Sequence, residues 1–384
     1  MVTGAYCPEL SGGGLQARAV VRALRNDADF SVLTTTTDPS LPSRADDEGV
    51  DVRRVYVDVR SGASRVAATA RLVRAFTARA SRIDIVHVHG FSQKAIPIAV
   101  LARLFRKRLV LTLHTAVHDD PATVRAAGPL SYWAYRRADV YLAVSPGLGR
   151  AYAESTLPLA RFRQIGNAVD VGRFRPATSG EQARLRAELG FPSGVPLILF
   201  VGFFSADKRP HRLYDVWRRV VATGVECDLV FVGATRGPFA EIDPALAETI
   251  RARAAADAAT DRVHFVEITQ TIERYFRAAD LYVLPSVREG SPVALLEAMA
   301  TGLPCVASRL EGSTDVLIAD GVNGRLVPPD DVEGFAAAIA GVLADAPRAA
   351  TLGAAARRTI VEHHSIECMA PAWLAVYREL LNAS

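Results

Sequence analysis

The strongest constraint on the fold is an alternation of short apolar runs with helical segments along all 384 residues. Runs at 1–3, 30–34, 55–59, 85–89, 109–113 and 140–144 have the length and apolar character of strands. Between them, segments such as 15–26 and 64–80 place apolar residues at helical spacing. A second series follows at 197–201, 229–232, 263–266, 281–284, 305–307 and 325–327. Near-continuous apolar strands suit parallel sheets buried on both faces, and the intervening helices supply the covering layers. The pattern predicts an α/β protein with two Rossmann-like domains facing each other across a ligand cleft. The boundary is expected at 167–176, NAVDVGRFRP, where polar, Gly- and Pro-bearing residues separate the two series. This gives domains 1–168 and 169–365. A terminal segment, 366–384, follows, with Trp373, Leu374, Tyr377, Leu380 and Leu381 at helical spacing.

The stretch 280–302 concentrates the chemistry. It reads as a strand at 281–284, a loop at 287–290 and a helix whose expected N-cap is Ser291, with Pro292 at the first helical position. Leu295, Leu296 and Met299 are spaced to face a core, and Gly302 ends the helix. The first helical amides, around Val293 and Ala294, have no intrahelical partner, and the helix dipole favours negative charge there. Glu289 precedes this anion site. Glu297 lies beyond it, ~7–8 Å from Pro292 at ~1.5 Å per residue. Carboxylates flanking an anion site accept hydroxyl hydrogen bonds. A nucleotide sugar has that layout: sugar hydroxyls, diphosphate, ribose diol.

Three other motifs stand at expected strand ends. Ser11-Gly12-Gly13-Gly14 follows the first strand, and glycines there let backbone approach a ligand. It is not a dinucleotide fingerprint, because its glycines are consecutive and no acidic residue ends the second strand. In 84–90, DIVHVHG, His87 and His89 share one strand face, and no third metal ligand accompanies them. His114 ends the strand 109–113, where open α/β sheets place ligands.

The net charge of +4 is unevenly spread. Residues 51–110 hold thirteen Lys and Arg against three Asp, a local +10. Two readings stay open: solvated helix faces, or a basic face that meets an anionic membrane or acceptor. Nucleic acid is not indicated, because aromatic residues do not interleave with the charge. Cys7, Cys227, Cys305 and Cys368 are scattered without metal spacing, which suits reduced thiols in a cytoplasmic protein. No apolar window approaches twenty residues, so no transmembrane helix is expected. The opening residues read as a short strand rather than a signal peptide.

The run from Glu289 to Glu297, with the EAMATGLP sequence that closes it, resembles the Glu-x7-Glu signature of retaining family 4 glycosyltransferases, which have the GT-B fold. The resemblance spans nearly the whole chain and is strongest from about 195 to 330. It implies that the terminal segment 366–384 packs back on the first domain. It also implies that Glu289, with Gly290 and Ser291 beside it, holds sugar hydroxyls. The amides from Ser291 through Pro292 and Val293 to Ala294, together with Lys208, would hold the diphosphate, and Glu297 the ribose.

Gly12 and Gly13 resemble the loop touching donor diphosphate or acceptor. His114 matches the strand-end His that bonds the donor sugar, and His118 is a weaker acceptor-side candidate. LFVGFFSADKRP at 199–210 resembles V-G-R-x-x-x-x-K-G. Phe203 stands where Arg is usual, Arg209 where Gly is usual, and Gly202 and Ser205 line the turn. Val266 falls on the strand whose backbone meets the base, although Glu267 replaces a common Gly. ASRLEGSTD at 307–315 matches the GG-x-x-E loop, with Gly312 retained and Asp315 in place of Glu.

The function this implies is retaining transfer from a nucleoside-diphosphate sugar to a hydroxyl of a glycan, glycolipid or small molecule. A UDP-sugar is the first choice and GDP-mannose the second, in cell-envelope or polysaccharide synthesis. No cofactor is expected beyond the nucleotide sugar as co-substrate. No metal is expected either, because no DxD motif suits the site. The alternative is a non-catalytic or epimerase-type GT-B protein that binds a nucleotide sugar.

Overall fold

The computed structural model describes residues 1–9, 11–115, 118–237 and 241–382. The chain divides into two units, Met1–Ala168 with Ile366–Ser384, and Val169–Ser365.

The first unit holds an eight-stranded sheet. Its strands are β1 (Val2–Thr3), β2 (Ser31–Thr36), β3 (Arg44–Asp47), β4 (Val50–Tyr56), β5 (Ile85–His89), β6 (Arg108–Leu113), β7 (Val140–Ala143) and β8 (Phe162–Gln164). Their order is β3-β4-β2-β1-β5-β6-β7-β8, parallel except for the β3–β4 pair. Two of these strands were not expected from the sequence. β3 (RADD) and β8 (FRQ) sit at the sheet's edges and are mostly polar, so they lack the apolar run that marks a buried strand. The expected strand 55–59 begins instead at Val50, paired with β2 from Asp51 to Tyr56. The helix Ile366–Asn382 packs against the helix Gly12–Leu24 of this unit, burying Trp373, Val376, Tyr377 and Leu380. Residues 383–384 lie outside the described residues.

The second unit holds β9 (Leu197–Val201), β10 (Asp228–Val232), β11 (Val263–Val266), β12 (Leu281–Leu284), β13 (Cys305–Ser308) and β14 (Arg325–Val327). All neighbours pair in parallel, in the order β11-β10-β9-β12-β13-β14. This is the doubly wound Rossmann order. The central strand β12 is wholly buried, and separate apolar clusters pack each face of the sheet.

Close backbone approach makes one glycine obligatory. Gly202 donates its amide to Val232 O and Gly233 donates to Val266 O, so the ladder continues past the strand ends. A Cβ on Gly233 would lie 2.0 Å from Gly202 O, and its φ is +149°. We predict that Gly233→Ala lowers urea stability by more than ~2 kcal/mol. Gly341→Ala, inside the helix Val332–Ala344 with nothing within 4 Å of its Cβ, should raise it by ~0.5–1 kcal/mol. Equal effects at the two positions would show that the strand-end contact is not limiting.

Candidate functional site

In a doubly wound sheet the ligand crevice opens where the strand order reverses. In the second unit that point lies between β9 and β12. The loops following these two strands carry Gly202, Ser205 and Lys208 on one side and Glu289, Gly290 and Ser291 on the other. Three contacts join the loops. The Val287 amide donates to Asp207 O at 2.9 Å, Arg288 pairs with Asp207, and Lys208 Nζ donates to both oxygens of Glu289 at 2.6 and 2.7 Å. The Glu289 side chain is 6% exposed and Lys208 30%. A carboxylate this enclosed needs a partner, because an unpaired buried charge is strongly destabilising. An ammonium has three donors, so Lys208 retains one beyond the Glu289 pair. Ser205 is buried and its Oγ accepts the Lys208 amide at 3.3 Å, shaping the turn. A Cβ on Gly202 would meet Phe200 Cζ at 3.3 Å and Lys208 Cδ at 3.8 Å. Arg209 has φ 51° and donates to Asp330 Oδ1 at 2.6 Å and Pro329 O at 3.2 Å, so its guanidinium already has partners outside this loop pair.

The helix after β12 runs Val293–Ala300, and its flanking residue is Pro292, with ψ 106°. The expectation that Ser291 caps it and Pro292 starts it is therefore corrected by one residue. Pro292 is still extended, and its carbonyl is the first acceptor, taking the amides of Leu295 and Leu296. Val293 and Ala294 are left as the leading amides without intrahelical partners. Gly302, at φ 78°, terminates the helix as expected.

Glu297 is 8% exposed and makes no side-chain hydrogen bond among the described residues. Burial raises its carboxyl to about 8. Arg173 opposes the shift and Glu273 adds to it. At neutral pH the unliganded protein thus holds Glu297 mainly as the acid.

Several groups in this unit escaped the sequence reading. The hydroxyls of Tyr282, Ser286, Ser308 and Ser313 are buried without a hydrogen-bond partner among the described residues. Ser286 and Ser308 close β12 and β13 at the ligand end of the sheet. The available signal was a serine directly after or at the end of an apolar run. Val266 ends β11 with its carbonyl already accepting Gly233 N. Glu267 accepts the Thr235 amide at 3.1 Å and pairs with its hydroxyl. Asp315 Oδ1 accepts the Ser313 amide at 3.2 Å within the 307–315 loop, where Gly312 has φ 69°.

In the first unit the strand order reverses between β1 and β5. The glycine run is not a free loop. Gly12 and Gly13 open the helix Gly12–Leu24, and Ser11 Oγ caps it by accepting the Gly14 amide at 3.1 Å. A Cβ on Gly13 would stand 3.5 Å from His114 Cδ2, so the fold brings these two sequence candidates together. A Cβ on Gly12 would meet nothing within 4 Å.

His114 Nε2 lies 3.1 Å from His89 Nδ1, and the rings stack at 5.3 Å. Burial lowers His114 to about 4 and carries His89 and His87 well below the ordinary range, so all three are neutral at pH 7. His87 is structural, bonding Tyr377 OH and Thr112 Oγ1, each at 2.6 Å. Asp119, which the sequence reading missed, holds the site in shape. Its oxygens accept the amides of Phe91, His114 and Thr115 at 2.6–3.0 Å, tying the loop after β5 to the loop after β6. His118 is exposed, with its amide on Thr115 O. Among the described residues no group of three or more His, Cys, Asp or Glu could hold a metal ion.

Two predictions follow from these environments. Folded Glu297 keeps its proton between its unfolded value, ~4.3, and about 8. The native state therefore binds more protons than the unfolded state across that window, and Glu297 makes stability fall as pH rises through it. Glu297→Gln should flatten the Tm–pH profile and exceed the wild type at pH ~9 by ~2 kcal/mol or more; parallel profiles would contradict the assignment. Lys208→Met should cost ~1–3 kcal/mol by stranding Glu289. Adding Glu289→Gln should restore most of that loss in a urea double-mutant cycle.

Comparison with known proteins bears on the family and the fold. Residues 181–359 match the family described as glycosyl transferases group 1, and 11–168 match a glycosyl transferase 4-like domain. The chain is 30% identical over 347 residues to D-inositol 3-phosphate glycosyltransferase 2 of Catenulispora acidiphila, covering 83% of this chain and 78% of that one. It is 28% identical to the alpha-maltose-1-phosphate synthase of Mycolicibacterium smegmatis, covering 99% and 98%. Anabaena Alr3699/HepE in complex with UDP-glucose superposes with a TM-score of 0.79 at 18% identity, covering 98% and 99%. Sucrose-phosphate synthase from Thermosynechococcus elongatus superposes with 0.80 at 22%, covering 100% and 99%. The chain is a family 4 glycosyltransferase with the GT-B fold, built to use a nucleotide-sugar donor.

Proposed function

We propose that this enzyme transfers a glycosyl group from a nucleoside-diphosphate sugar to an acceptor hydroxyl with retention of the α configuration, and does so without a metal ion. The observation that carries the reading is the Lys208–Glu289 pair at the reversal point between β9 and β12, beside the helix Val293–Ala300. Lys208 and the leading helix amides would neutralise the diphosphate, where charge develops as the bond to the sugar breaks. Glu289 would accept sugar hydroxyls, and Glu297 would accept the ribose diol. Ribose hydroxyls give Glu297 the hydrogen bonds it lacks in the unliganded fold, which favours its ionised form. His114, neutral and held by Asp119, is assigned to a hydroxyl of the donor sugar.

The transfer breaks the bond between the anomeric carbon and the phosphate oxygen and forms a bond from that carbon to the acceptor oxygen. The acceptor proton passes to the departing phosphate oxygen, and the nucleoside diphosphate leaves. The similar Anabaena structure was solved with UDP-glucose, which supports UDP as the first base to test. The acceptor is proposed to be a glycan, glycolipid or small polyol of cell-envelope or polysaccharide synthesis. One observation favours the non-catalytic alternative: Phe203 stands where the family signature has a diphosphate-binding Arg.

A thermal-shift panel of UDP, GDP, ADP and TDP with their sugars tests the donor site, because a ligand bound only by the folded state raises Tm by mass action. One base family should shift the wild type, and Glu297→Ala should lose that shift. Turnover of that donor should release the matching nucleoside diphosphate and survive chelator. Absence of any shift would favour the non-catalytic reading, and activity restored by Mn²⁺ after chelation would overturn the metal-free mechanism.

A further inference from the structure

The first unit carries a second built surface, at the opposite end of its sheet from His114. β6 runs from Arg108 to Leu113, so its two ends are ~17 Å apart at ~3.3 Å per residue. Around its starting end lies an open concavity, in two continuous lobes of about 490 and 330 Å³. Arg103, Arg106, Lys107, Arg136, Arg137 and Arg161 line it and make no ion pair among the described residues. Arg108 also lines it, 3.9 Å from Asp139, the one carboxylate present. Seven cations against one anion leave a net +6 in one hollow. Helix C-termini attract some of this charge: Arg103 is in the last turn of the helix Ala95–Leu104, and Arg136 is the C-cap of Pro129–Tyr135. Two such sites account for two cations and leave most of the excess unexplained.

The rim is apolar. Leu104 is 70% exposed, Leu130 61%, Trp133 41% and Phe105 38%. Arg137 lies over the Trp133 ring at 4.7 Å. A soluble phosphate would need the cations but not this rim. A lipid bilayer uses both, with anionic headgroups against the arginines and apolar tips in the interfacial layer. Ala95–Leu104, beside the hollow, is apolar but only 10 residues long, and among the described residues no single helix is long and apolar enough to cross a membrane.

We propose that this concavity is a docking face for an anionic bilayer, whose phosphate headgroups seat among Arg103, Arg137 and Arg161 while Leu104, Leu130 and Trp133 enter the interface. The assignment does not depend on the donor chemistry above.

Co-sedimentation of the full chain with phosphatidylcholine vesicles, with and without phosphatidylglycerol, tests it. Binding should require phosphatidylglycerol and weaken with salt. Arg103→Glu with Arg137→Glu should reduce the bound fraction about tenfold or more. Leu104→Ser with Trp133→Ser should reduce it several-fold while leaving the salt dependence intact. Arg71→Glu with Arg74→Glu, on an exposed face of the helix Gly62–Thr77, should have little effect. Unchanged Tm would show that each variant is folded. Vesicle binding that ignores phosphatidylglycerol, or that falls equally with the Arg71/Arg74 pair, would overturn the proposal. So would inorganic phosphate raising Tm through Arg103 and Arg137 while vesicles stay unbound, which would make the hollow a soluble-anion site.

Discussion

A single constraint organises both units: strands that run parallel and are covered on both faces leave only their ends for polar chemistry. In the second unit β12 is fully buried along its length, so the first residues able to meet a ligand are those after Leu284. Reversal of strand order between β9 and β12 separates the crossover helices and opens the sheet at that end. Lys208 and Glu289, 81 residues apart, become neighbours because each follows one of those two strands. Their ion pair satisfies an otherwise stranded carboxylate on the loop that leads into the helix Val293–Ala300.

Burial then sets the protonation states. Glu297 and His114 are both enclosed, and burial drives both toward the neutral form, upward for the acid and downward for the imidazole. A neutral His114 acts as a hydrogen-bond partner rather than a cation. Asp119, buried but accepting three backbone amides, fixes the loops that present it. The hydroxyls of Ser286 and Ser308, buried without a hydrogen-bond partner among the described residues, lie at the ligand end of the second unit's sheet.

The opposite end of the first unit's sheet obeys the same rule with different consequences. Helix C-termini and strand starts converge there, and the helix C-termini favour cations. The hollow they form draws Arg103 from the end of one helix with Arg106 and Lys107 just after it, Arg136 and Arg137 from the end of a second helix, and Arg161 from the short 3-10 turn before β8. The basic stretch 51–110 supplies four of these cations, Arg103, Arg106, Lys107 and Arg108, while its earlier part is dispersed: Arg79 and Arg53 turn to Asp51, and Arg54 is buried.

The sequence by itself determined the α/β class and the two strand series, and it singled out Glu289, Glu297, Lys208 and His114 as candidates, because these features are encoded locally. An apolar run of strand length, a glycine at a helix end and a carboxylate eight residues from another are all readable within one window. It did not show β3 and β8, whose polar residues satisfy edge positions rather than a buried pattern. It placed Ser291 one residue out of phase, since a proline's ψ is free while its φ is not. The partnerships were decided only by the tertiary structure: Lys208 with Glu289, Arg209 with Asp330, His89 with His114, and Asp119 with two loops. So were the raised acid of Glu297 and the basic hollow with its apolar rim. Each depends on which residues distant in the chain share a strand end, and on how much water packing excludes there, and neither quantity is written in any local stretch of the chain.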